Sequence, residues 1–249
     1  MNAGQRGPAA VLFDMDGTLT DSEKLWTIAL GDYAAHRGGE LSDTVRAGMV
    51  GSNMRRTMRI LLEDLRLPAG GGDIDEAADW VEARTGELFR EGLPWRPGAQ
   101  EALRAVRAAG VPTALVTSTI RSLTEIALDT LGRSSFEATV CGDEVDGLNK
   151  PDPRPYAQAA RALGVDPAAC VAVEDSPTGM ASAAEAGCLV IGVPCEVPLE
   201  AGPRSVVWSS LEGFSVEELS ALLSEVRVGP RPAAGPPTGA PGRMQGSRP

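Results

Sequence analysis

Residues 9–18 read Ala9-Ala10-Val11-Leu12-Phe13-Asp14-Met15-Asp16-Gly17-Thr18: an apolar run that stops abruptly at two carboxylates and a glycine. A short apolar run bounded by turn residues suits a strand covered on both faces. Four more runs have this character: Thr113–Thr117, Ala138–Cys141, Val171–Val173 and Leu189–Val193. Helical patterns separate most of them, at Glu101–Ala109, Arg121–Leu131, Pro155–Leu163 and from Ser176–Pro177 to Ala186, each followed closely by glycine. Ser as N-cap, Pro at the first helical position and Gly past the end are helix start and stop signals. Alternating strands and helices predict an α/β fold built on a doubly wound parallel sheet.

From about Glu23 to Leu93 the alternation breaks. Only helical patterns occur there, at Lys24–His36, Asn53–Leu65 and Asp75–Arg90, with Leu67–Gly72 read as a loop. This predicts a helical cap domain inserted after the first strand. The expected organisation is a core of residues 8–22 and 94–228, a cap of 23–93 and a disordered tail of 229–249. The tail is dense in Pro and Gly and has too little apolar surface to offset the entropy of ordering. Gly70–Gly72 follows no strand and precedes no Lys-Ser/Thr, so it is a turn and not a phosphate loop.

Of the 249 residues, 23 are Lys or Arg and 34 are Asp or Glu, a net charge of −11. A broad nucleic-acid or anionic-membrane surface needs a basic face, so neither partner is expected. The apolar runs are too short to span a bilayer. No secretion signal is read at the N-terminus, and a cytoplasmic monomer is expected. Cys141, Cys170, Cys188 and Cys195 form no C-x-x-C pair and read as free thiols. The single histidine, His36, leaves no multi-His metal site and no His-based triad. It reads as a solvated residue at a helix end.

In a doubly wound sheet, ligands bind at the carboxyl ends of the strands. The polar residues falling there are Asp14 and Asp16, Thr117 and Ser118, Lys150, and Glu174 and Asp175. Alone, Asp-x-Asp-Gly-Thr could be an ordinary strand-end turn, and Lys150 a solvated lysine. Together, VLFDMDGTLTDSE, ALVTST, NKPDPRPY and VAVEDSPTG resemble the four motifs of the haloacid dehalogenase superfamily. The resemblance spans roughly Ala9–Leu211. The inserted helices are similar to the cap of subfamily I, the beta-phosphoglucomutase-like phosphatases.

That resemblance implies an Mg2+-dependent phosphatase acting on a small phosphorylated metabolite, a sugar phosphate among the options. It implies Asp14 as nucleophile, forming an aspartyl phosphate. Asp16 would protonate the leaving group and then activate water. Asp14, the backbone carbonyl of Asp16 and Asp175 would hold Mg2+, with Glu174 in or just behind that shell. Thr117 and the Ser118 amide would bind phosphoryl oxygens, Lys150 would neutralise nucleophile and phosphate, and the Lys150–Pro151 bond would be cis. The chemistry is consistent on its own terms. One divalent cation and one lysine cannot neutralise four carboxylates and a phosphate dianion, so the cluster should hold a proton. An all-oxygen donor set suits Mg2+ better than zinc.

Three rivals share parts of this pattern. A dehalogenase uses the fold without a metal, and Asp16 with the Glu174–Asp175 pair argues against it. A non-catalytic binding protein would not need every motif residue. A phosphomutase would need, by the same resemblance, a histidine on the helix after the first motif and basic residues around a cap glycine. Trp26 stands at the first position, and Val50-Gly51-Ser52-Asn53-Met54 at the second. In the cap, Met54, Met58, Leu61, Leu62 and Leu65 read as core, and Trp80 and Trp95 as packing residues. Arg55 and Arg56 suit either solvent or a substrate's distal anion.

Overall fold

The computed structural model describes residues 7–49 and 52–228. The tail read as disordered, and Val50 and Gly51 of the cap stretch, lie outside them. Strand β1 (Ala10–Phe13) leads into helices α1 (Glu23–His36), α2 (Asp43–Ala47), α3 (Met54–Asp64) and α4 (Gly71–Glu91). Then come α5 (Ala99–Ala108), β2 (Thr113–Val116), α6 (Arg121–Leu131), β3 (Ala138–Val140) and α7 (Arg154–Ala162). The chain continues through β4 (Cys170–Glu174), α8 (Pro177–Glu185), β5 (Leu189–Gly192), β6 (Ser205–Val207) and α9 (Val216–Val228).

The strands form one parallel sheet in the order β3-β2-β1-β4-β5-β6. Alternate side chains of each strand feed opposite faces, as the period of two requires. Val11 and Phe13 pack with Leu115, Val173 and Ile191 beneath α5, α6 and α9. Ala10 and Leu12 pack with Val116, Ala172 and Val190 against Tyr156 of α7 and Ala183 of α8. Burial on both faces explains why the strands read as continuous apolar runs. The chain leaves β1 toward β2 on one side and returns to β4 on the other. The crevice between the carboxyl ends of β1 and β4 is therefore the topological switch point.

The four inserted helices form the cap. Their apolar stripes make a core of their own, with Leu30 and Tyr33 of α1, Met58, Leu61 and Leu62 of α3, and Ile74 and Val81 of α4. Trp80 meets Tyr33 edge-on and stacks on His36, with centroids 5.4 Å apart in both pairs. His36 ends α1 exposed. Helix α4 starts at Gly71, within the stretch expected to be loop: Asp73 caps it by accepting from the Gly70 amide at 3.0 Å. This cap offsets the poor helix propensity of Gly71 and Gly72 in the first turn. Helix α2, with no buried residue, and the edge strand β6 carry no strong apolar pattern and were not expected. Among the described residues, no helix is long and apolar enough to cross a membrane.

Candidate active site

The switch point carries the first motif. β1 ends at Phe13, and the next residues turn back through Gly17, whose φ of 78° suits glycine. A Cβ at Gly17 would also overlap the Asp175 carboxylate, so glycine lets the two loops meet. Asp14 is 5% exposed, and its Oδ1 accepts from Lys150 Nζ at 2.6 Å. Its Oδ2 is buried with no hydrogen-bond partner. Burial pushes the Asp14 carboxyl up to about 7; Lys150 works against this, and Glu174 and Asp16 add to it.

Lys150, just before α7, is the cation of the cluster, with its side chain 6% exposed. Its ammonium also donates to Glu174 Oε1 at 2.6 Å and to the Val116 carbonyl at 3.0 Å. Burial works against its charge, but Asp14 and Glu174 more than offset this and raise its pKa. The Lys150–Pro151 peptide is cis.

Glu174, the last residue of β4, is fully buried and saturated with donors. Oε1 accepts from Lys150 and from Tyr156 Oη, each at 2.6 Å, and Oε2 accepts from Ser176 Oγ at 3.1 Å. Ser176 Oγ in turn accepts from the Gly179 amide at 3.1 Å, the N-cap of α8 that its Ser-Pro sequence predicts. The carboxylates of Asp14, Glu174 and Asp175 each offer an oxygen within 4.8 Å of the others. Burial, then Asp14 and Glu174, push the Asp175 carboxyl well above its ordinary range.

Asp16 lies to the side of that cluster, its carboxylate held by four donors. Ser22 Oγ (2.6 Å) and Trp26 Nε1 (3.1 Å) donate to Oδ1. Thr119 Oγ1 (2.7 Å) and Thr117 Oγ1 (3.2 Å) donate to Oδ2. The Thr117 hydroxyl thus faces Asp16, and it also accepts from the Thr119 amide at 3.0 Å. Ser118 and Thr119, not Thr117, line the open cavity.

The cavity, about 140 Å3, lies between this floor and the cap. Cap residues on its wall include Trp26, Arg46, Met54 and Glu82. Met54, read as core, packs at the edge of the cap core and also faces the cavity. Arg55 is exposed and pairs with Asp75, and Arg56 is exposed. Sequence reasoning missed Thr119, Tyr156, Arg46 and Glu82. Thr119 and Tyr156 left a trace, standing inside the ALVTST and NKPDPRPY stretches, whereas Arg46 and Glu82 left none.

A doubly wound sheet that gathers acids and one buried lysine at its switch point, beneath a helical cap, is the architecture of a capped Rossmann-like α/β enzyme. The family model of haloacid dehalogenase-like hydrolases matches residues 8–187, and the chain belongs to that family. Hexitol phosphatase B of Escherichia coli (strain K12) is 34% identical over 219 residues, 85% of this chain and 94% of that relative. Among solved structures, CbbY of Rhodobacter sphaeroides in complex with phosphate superposes with a TM-score of 0.76 at 26% identity, covering 85% of this chain and 99% of that one. Beta-phosphoglucomutase of Clostridium difficile shares the fold, with a TM-score of 0.77 at 20% identity, over 89% of this chain and 99% of that one.

Proposed function

We propose that the protein is a divalent-metal-dependent phosphatase that hydrolyses a small phosphorylated metabolite of the sugar-phosphate kind through an aspartyl phosphate on Asp14. The observation that carries this reading is the state of Asp14: a buried carboxylate, one oxygen fixed by Lys150 and the other without a partner, at the foot of a cavity. The relative named hexitol phosphatase B supports the substrate class.

The residues suit a hard cation such as Mg2+. The donors are carboxylates, one of them carries an orphaned buried oxygen, and burial raises two of their pKa values in its absence. Asp14 and Asp175 would hold it. Glu174, with both oxygens hydrogen-bonded, stands behind them and fixes Lys150. Bound there, the metal supplies positive charge that keeps the carboxylates ionised and offsets that of the phosphoryl group.

Asp14 attacks phosphorus, and the bond from phosphorus to the leaving oxygen breaks. Asp16 gives that oxygen a proton. Asp16 must first take up that proton from solvent as the substrate enters: in this structure it is a carboxylate held by four donors, and one of them gives way when the protonated acid turns to the leaving oxygen. Asp16 then takes a proton from water, which attacks the aspartyl phosphate, releases inorganic phosphate and restores Asp14. Lys150 neutralises Asp14 and the phosphoryl group. Ser118 lines the cavity, and we assign its amide to the phosphoryl oxygens; the Thr117 hydroxyl could join it only by leaving Asp16, to which it donates in this structure.

Hydrolysis is favoured over phosphoryl return to a sugar. Trp26, where a mutase carries histidine, is not titratable and is already bound to Asp16. Among the described residues the only cap cation on the cavity wall is Arg46, which is tied to Glu23 and Glu196. The test is phosphate release from p-nitrophenyl phosphate and from a panel of sugar and polyol monophosphates, with and without Mg2+. Metal-dependent release supports the reading. Conversion of beta-glucose 1-phosphate to glucose 6-phosphate faster than release would replace it with a mutase.

A further inference from the structure

The reaction uses the charges on the cavity floor. The charged side chains on its cap wall are Glu23, Arg46 and Glu82, and nothing so far gives the last a role. Arg46 is not free to receive an anion. Its Nη2 lies 2.5 Å from Glu23 Oε2 and 3.1 Å from Glu196 Oε2, and its Nε donates to Thr27 Oγ1 at 2.7 Å. The guanidinium thus ties cap to core and is neutralised there.

Glu82, on α4, is in a different condition. It is half-buried, it lines the cavity, and no basic side chain pairs with it among the described residues. Burial, then Asp79 and Asp143, push its carboxyl up to about 7. A desolvated carboxylate without a partner is costly unless a donor arrives. The cap side of the cavity therefore offers an acceptor to whatever enters and withholds a free cation. The neutral groups around it, including Ser52, Asn53 and Trp26, do not change that balance.

We infer that Glu82 determines which leaving group the cap admits: it accepts hydrogen bonds from hydroxyl or ammonium groups and repels leaving groups that carry a carboxylate or second phosphate. The inference rests on the phosphatase reading and narrows its substrate class to monoesters of polyols, neutral sugars or amino sugars. Discrimination of this kind comes as much from repulsion of the wrong ligand as from attraction of the right one.

The test uses the whole chain with Mg2+ at pH about 8, where Glu82 is ionised, and substrates of matched size. These are sorbitol 6-phosphate, glucosamine 6-phosphate and 6-phosphogluconate, assayed with the parent, Glu82→Gln and Glu82→Lys. The parent should show a kcat/KM for 6-phosphogluconate at least about tenfold below the other two, the effect of one unfavourable charge contact of roughly 1.4 kcal/mol. Glu82→Gln should raise the 6-phosphogluconate to sorbitol 6-phosphate ratio by about that factor, and Glu82→Lys should raise it further. A ratio within one preparation is independent of the folded fraction, so a merely structural role would not move it. Equal use of 6-phosphogluconate and sorbitol 6-phosphate by the parent, or a ratio unmoved in both variants, would overturn the inference. So would cleavage of p-nitrophenyl phosphate with none of the three sugar derivatives. Failure with all four substrates would remove the phosphatase reading and the inference with it.

Discussion

Replacing Lys150 by methionine removes the one buried cation from a cluster that includes Asp14 and Glu174, each 2.6 Å from its ammonium. Breaking a buried ion pair by deleting one partner costs about 3–5 kcal/mol when the orphaned charge stays ionised. A carboxylate can escape part of that cost by taking a proton, and this makes the effect depend on pH. In the unfolded chain Asp14 releases its proton near 3.8; in the folded, metal-free protein it does so at about 7, because of burial. The folded state therefore holds a proton that the unfolded chain has given up. The Asp14 contribution to stability falls as pH rises between these values and levels above the upper one. Without Lys150 the folded Asp14 carboxyl titrates higher still, so in the variant this group keeps costing about 1.4 kcal/mol per pH unit after its contribution in the parent has levelled. Urea unfolding in EDTA at pH about 6.5 and about 8.5 should show a Lys150→Met deficit larger at the higher pH by about 2 kcal/mol. An equal deficit at both, or a smaller one at the higher pH, would refute Lys150 as the charge partner of these carboxylates.

Thr119→Ala removes a 2.7 Å donor from Asp16. A hydrogen bond to a charged group is worth about 1.5–3 kcal/mol, so turnover of an alkyl phosphate should fall about 10- to 150-fold. The fall for p-nitrophenyl phosphate should be smaller, since its leaving group needs less protonation; equal losses would count against Asp16 as the acid. Gly179→Ala would place a Cβ into the Glu174 carboxylate and should cost roughly 1–3 kcal/mol, read as a lower Tm together with a lower kcat. An unchanged melting curve would show that Glu174 is not confined as described. Chelation by EDTA should abolish phosphate release and Mg2+ should restore it, whereas full activity in chelator would exclude a metal at Asp14 and Asp175.

The fold was legible wherever burial on both faces left an unbroken apolar run. Val11–Phe13 and Val171–Val173 read as strands because neither face meets water. β6 did not, because an edge strand of three partly exposed residues needs no such pattern. The floor of the site was legible for a related reason. Asp14, Asp16, Glu174 and Asp175 each follow or end a strand, so sequence position nearly determines spatial position. Tyr156 and Thr119 stand inside the motif stretches, but they reach the site only through packing and a turn, and nothing local in the sequence gives either its partner. The cap wall was least legible. Arg46 and Glu82 sit on helices whose orientation over the sheet is set by tertiary contacts, and on the page of sequence they are two among many charged residues of a solvated face.

The proposed chemistry turns on whether phosphorus becomes bonded to Asp14. Rapid acid quench of a single turnover with a phosphorylated substrate, followed by peptide mass spectrometry, tests this directly. The expected result is a transient phosphoryl group on the peptide carrying Asp14, sensitive to hydroxylamine and absent from Asp14→Asn. Single-turnover release of phosphate with no phosphopeptide at any quench time, and turnover retained by Asp14→Asn, would contradict it.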